Sequence, residues 1–138
     1  MAWEIPLFRP GGLKAAASLT TKQFYGVKVT ANNSVNIVTA NGEPGLGILQ
    51  NAPASGEAAE VMLAGISKIL VGTAVAAGQL WGFDSAGKAT PVEDNNTGAS
   101  LGYWVQGRVI EGAAAGEYAT VDIGILTGLI GSTFGAGA

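Results

Sequence analysis

The chain has 138 residues, enough for one domain with its own core, and carries 7 basic against 10 acidic side chains, a net charge of −3. It has no cysteine and no histidine, which excludes disulfides, thiolate metal sites and cysteine nucleophiles and removes the commonest general base and metal ligand. Sparse charge without clustered Lys/Arg argues against a nucleic-acid partner.

Residues 1–23 set Trp3, Ile5, Leu7 and Phe8 among Pro6, Pro10 and Gly11-Gly12. The prolines fix φ and forbid a helix. The segment reads as an extended arm; a first strand packed on the chain's own core is the alternative. The start lacks a basic region followed by a continuous apolar stretch, so no signal peptide is expected, and a soluble intracellular product is.

Residues 24–126 read as an all-β body. Period-2 alternation begins at Val27 and Val29 and continues through Val35 and Ile37. Asn41-Gly42 is a two-residue turn signal, because both positions tolerate φ > 0. Strands follow at 47–50, 60–63, 66–71, 80–83, 88–91, 101–111 and 118–126. Turns every 8–12 residues are the spacing of a small β-barrel or β-sandwich built of hairpins. Only 72–78 is open to a helical turn, so little or no helix is expected. Residues 127–138 form a Gly-rich, uncharged apolar tail. Leu129, Ile130 and Phe134 in it need covering, by this chain's core or, as the favoured reading, by a neighbour. The tail is too short and glycine-rich to span a bilayer, so no membrane partner is expected.

One stretch echoes another. Gly56-Glu57-x-Ala59-x-Val61 matches Gly116-Glu117-x-Ala119-x-Val121, and each follows a strand that opens with a glycine, Gly47 or Gly107. Two copies are too few for a solenoid. They suffice for two matching hairpins in a pseudo-symmetric barrel.

Candidate chemistry is thin. Gly82 to Lys88 fits the first seven positions of a phosphate-binding loop, but Ala89 stands where Ser or Thr is needed and Pro91 follows where a helix should start. A hairpin turn is the better reading. Ser67 and Lys68 are adjacent on a strand and face opposite sides, so they form no dyad. Asp94 to Gly98 lacks the spacing of a calcium loop. Glu57 and Glu117 read as solvated turn residues. Trp3, Trp81, Trp104, Tyr103 and Tyr118 offer a sugar-binding platform, against which stands the commoner use of aromatics in cores and interfaces. No catalytic residue, cofactor or metal is expected.

The run Gly47-Ile-Leu-Gln-Asn-Ala-Pro-Ala-x-Gly56-Glu57-Ala-Ala59, then Gly65-Ile-Ser-Lys68, Ala77-Gly78-x-Leu80, Asp84-x-x-Gly87-Lys88-Ala89 and the late echo resemble the decoration, or cement, proteins of tailed-phage capsids, long catalogued as a domain of unknown function. The likeness covers about residues 20–126. It implies a non-enzymatic protein on the outer surface of the assembled virion head, made in the host cytoplasm, often a homotrimer, that bridges and stabilises major capsid protein subunits. Terminal arms often make such contacts by adding a strand to a partner's sheet. The expected contacts are therefore Trp3, Ile5, Leu7 and Phe8 as apolar anchors, Arg9 as a pairing charge, and Leu129, Ile130 and Phe134 of the tail. The competing expectation is a virion-surface adhesion domain that binds host glycans through its aromatics.

Overall fold

The computed structural model describes residues 2–8, 11–92, 103–124 and 128–129. Among the described residues the regular structure is all strand: β1 (Ile5–Phe8), β2 (Lys14–Ala15), β3 (Gly26–Ala31), β4 (Ser34–Ile37), β5 (Gly47–Leu49), β6 (Val61–Met62), β7 (Ala64–Leu70), β8 (Leu80–Phe83), β9 (Ala89–Val92), β10 (Trp104–Val105), β11 (Gly107–Glu111), β12 (Tyr118–Ile123) and β13 (Gly128–Leu129). The all-β expectation holds. The strands form a five-stranded sheet, β2-β4-β3-β5-β6, a six-stranded sheet, β1-β7-β12-β11-β8-β9, and a small β10-β13 pair.

Each larger sheet curls back on itself, the second between β7 and β9 with β1 added outside the closure. In the first, Lys14 of β2 bridges to Ala58 just ahead of β6; in the second, Val71 just after β7 bridges to Ala89 of β9. The result is two small lobes, 13–63 and 64–124.

The lobes are copies of one another. Leu49 pairs with Val61 in the first and Val109 with Val121 in the second, at the positions the sequence echo aligns. Glu57 N–H donates to Ala54 O and Glu117 N–H to Ala114 O, both at 3.1 Å. Gly56 N–H donates to Ala15 O and Gly116 N–H to Val71 O at 2.8 Å, while the amides of Ala15 and Val71 donate back to Glu57 O and Glu117 O at 2.9 Å. The match runs well beyond the hairpins. Val27 lies opposite Gly47 as Trp81 lies opposite Gly107, and Val29 opposite Val35 as Phe83 opposite Ala89. Gly47 and Gly107 are glycine for one reason: a Cβ there would strike the carbonyl oxygen of Met62 or of Asp122.

The interiors correspond position by position. Ala15, Leu19, Val27, Val35, Leu49, Ala59 and Val61 fill the first lobe. Val71, Val75, Trp81, Ala89, Val109, Ala119 and Val121 take the same places in the second. The second cluster also holds Val38, Ile48 and Met62 of the first lobe and Phe83 of the second, all fully buried. These residues join the lobes. Phe83 lies on bare backbone, since a Cβ at Gly26 or Gly45 would fall inside its ring. Hydrogen bonds cross the joint from Gly26 N–H to Gly87 O (2.6 Å), from Gly42 N–H to Phe83 O (2.8 Å) and from Leu70 N–H to Phe24 O (3.1 Å). Buried Gln50 adds a bond from Nε2 to Ser67 Oγ at 2.9 Å.

Several local expectations change. Asn41-Gly42 does form a turn, with Gly42 at φ 71°, but the strands it connects, β4 and β5, flank β3 instead of pairing with each other. The expected strand over 101–111 is interrupted at Gln106, where β10 ends and β11 begins; Leu101 lies outside the described residues. Residues 72–78 are not helical; Val75 there bridges to Ala113. Val29, which alternation places with Val27, is 54% exposed, because it is the first-lobe counterpart of Phe83 and has no lobe to meet.

Candidate interaction surface

Four of the exposed large apolar side chains belong to the outer face of the six-stranded sheet and the segment that leads into it: Trp3 (41%), Ile5 (56%), Ile110 (39%) and Tyr118 (49%). Alternation puts them there. In β12, Ala119, Val121 and Ile123 fill the interior, which turns Tyr118, Thr120 and Asp122 outward. In β11, Val109 points in, and Arg108 and Ile110 point out. Register then places Leu70 opposite Tyr118, Lys68 opposite Thr120 and Ile66 opposite Asp122.

The N-terminal segment lies over this face. Trp3 N–H donates to Thr120 Oγ1 at 3.1 Å, and Ile5 sits opposite Ile66 as β1 adds to the edge of β7. On the other side Phe24, held at φ 64°, packs edge-on against Tyr118, with ring centroids 5.7 Å apart at 82°. The Lys68 ammonium stands 5.4 Å over the Phe24 ring. The patch combines apolar anchors and aromatic edges with the charged side chains of Lys68, Arg108 and Asp122. That suits contact with another protein.

Of the residues expected to make contacts, Trp3 and Ile5 come together on this face. Leu7 and Phe8 belong to β1, where Phe8 pairs with Ala64. Leu129 lies elsewhere, opposite Trp104 in the β10-β13 pair. Arg9, Ile130 and Phe134 lie outside the described residues. Sequence reading missed Ile110 and Phe24 and named Tyr118 only as a sugar-platform aromatic. The alternation of β11 and β12 carried the signal for Ile110 and Tyr118. Nothing local marked Phe24, whose place depends on the docking of one lobe on the other.

The other candidates resolve into structure. Gly82 to Lys88 is the β8-β9 hairpin, with Phe83 opposite Ala89. The Asp84 carboxylate accepts the amides of Ala86 (2.8 Å) and Lys88 (2.9 Å), occupying donors that a phosphate would need. Ser67 points inward to Gln50 and Lys68 outward to Phe24, as adjacent strand residues must. Glu57 and Glu117 each accept an amide of their own turn, from Ala54 and Ala114. Residues 94–98 lie outside the described residues. A platform that includes Trp81 is ruled out: the ring is fully buried and its Nε1–H donates to Asp122 O at 2.9 Å. Among the described residues no group of three or more acidic side chains is placed to hold a metal ion.

No known protein family matches the sequence, and no curated protein does. Among solved structures the chain is similar to the N base of the head fiber gp8.5 of bacteriophage phi29. The TM-score is 0.59 and the identity 15%, over 84% of this chain and 92% of that one. At that identity the likeness is one of fold.

Proposed function

We propose that the chain is a non-enzymatic structural protein of a phage head. The observation that carries the reading is the fold shared with a head-fiber base over most of both chains. In its finer form, the protein decorates the outer surface of the assembled head, binds the major capsid protein and bridges neighbouring subunits, as a homotrimer on a symmetric site. The apolar face of Trp3, Ile5, Ile110 and Tyr118 supports this: it offers several modest contacts that repetition around a shell would multiply. Leu7, Phe8 and Arg9 extend the same segment, and Leu129, Ile130 and Phe134 provide a second, separate contact.

The test is binding to heads purified without the protein. Removing residues 2–12 is expected to lower occupancy at least tenfold while the body stays folded. Unchanged occupancy would remove the N-terminal segment from the contact. Binding to neither heads nor isolated capsid protein by the intact chain would defeat the proposal itself.

A further inference from the structure

We infer that β1 is an exchangeable strand, so that residues 2–8 of a second copy of this chain can take the seat on β7 that this chain's own segment occupies. The seat defines its occupant, because what fills it is the sequence Ala2 to Phe8. It belongs to the second lobe, although the segment is joined in sequence to the first, at Lys14 of β2. Trp3 and Ile5 stay about half exposed with the strand seated, and the pairing is short, with the register broken between Pro6 and Phe8. A short, irregular edge pairing opens more readily than the strands inside the sheet. Pro6 and Pro10 keep the released segment extended, so little chain entropy opposes its docking elsewhere. Gly11 and Gly12 stand in open space, Gly12 at φ 87°, and can redirect the chain without a clash. With the strand seated, Ile110 and Tyr118 beside it remain partly uncovered. Exchange of an identical element is a low-cost route to a closed oligomer.

The chain has no cysteine, so introduced thiols report the pairing without background. Ile5 and Ile66 are directly opposite in the antiparallel pair. One copy carrying Ile5→Cys and a size tag is unfolded together with an untagged copy carrying Ile66→Cys, and the two are refolded and oxidised. Exchange predicts a covalent pair containing one chain of each kind, with a yield that rises severalfold with protein concentration. The double variant then shifts from internal closure in dilute solution to inter-chain bonds in concentrated solution. Internal closure at every concentration, with no mixed pair, would overturn the inference. A second measurement needs no thiol. Deleting Gly11-Gly12 from the full chain shortens the connection and is expected to leave the chain in assemblies of two or more copies, read as mass in solution. A variant found only as a monomer overturns the inference as well. Neither readout involves phage heads, so failure of exchange and failure of the head-protein reading are distinguishable.

Discussion

Phe83 has room for its ring only because Gly26 and Gly45 present bare backbone to it. Gly26→Ala is therefore expected to cost about 1–3 kcal/mol, the usual effect of forcing an atom into a filled joint, and Phe83→Ala about 3–5 kcal/mol. Denaturant unfolding measures both. A Gly26→Ala protein as stable as the parent would show that the ring yields. A second residue-scale effect is electrostatic. Lys28 Nζ meets Glu43 Oε1 at 2.6 Å, and Glu43 Oε2 accepts the amides of Thr39 (3.0 Å) and Ala40 (3.1 Å). Partial burial pushes the Glu43 carboxyl up, but the Lys28 hydrogen bond, the two amides and the lysine charge together hold it below the ordinary value of 4.5. Because the folded carboxyl titrates below the unfolded one, its contribution is complete above pH 4.5 and is lost as pH falls through the lower folded value. Glu43→Gln is expected to lower stability at pH 7 by about 0.5–1 kcal/mol and to flatten the acid side of the stability profile. An unchanged acid limb would remove Glu43 from that role.

At the scale of elements, the two Gly-Glu hairpins should respond alike. Gly56 and Gly116 adopt φ of 81° and 86° with nothing near enough to touch an added Cβ. Replacing either with alanine should cost only the left-handed backbone penalty, about 1–2 kcal/mol. Urea midpoints of the two variants should shift by similar amounts; a large difference would mean that the turns are not equivalent. These hairpins were legible in sequence because both their turn residues and their inward valines recur. The β8-β9 hairpin was legible from Asp84 and Gly87 at turn spacing. The wider duplication was not, since the two lobes fill the same places with different residues: Ala15 against Val71, Val27 against Trp81, Val35 against Ala89. Chain-local pattern also gave no partner for Asn41-Gly42, whose flanking strands are separated by β3. Pairing across a third strand leaves no mark on adjacent residues. The contact face was half legible. Trp3 and Ile5 stood out as apolar residues among prolines, but the surface that receives them is assembled from strands far apart in sequence.

On the scale of the whole molecule, the joining face is used once. Ile48 and Met62 bury it in the first lobe, and their second-lobe counterparts are Arg108 and Asp122, with Asp122 Oδ1 accepting the Arg108 amide at 3.0 Å. These two charged side chains stand in the places of Ile48 and Met62, so the second lobe cannot bury those positions against a further lobe as the first does. Met62→Asp is expected to prevent folding, or to cost at least 3 kcal/mol, by burying an unpaired carboxylate. Asp122→Met should cost about 1 kcal/mol and increase self-association measured by light scattering. Equal effects of the two substitutions would contradict the one-sided joint. On the proposed function, this two-lobed body is held on a phage head through its Trp3, Ile5, Ile110 and Tyr118 face. Cryo-electron microscopy of heads reconstituted with the protein is expected to show two-lobed density on the outer surface with that face against capsid subunits; bare heads, or density with that face turned to solvent, would overturn the proposal.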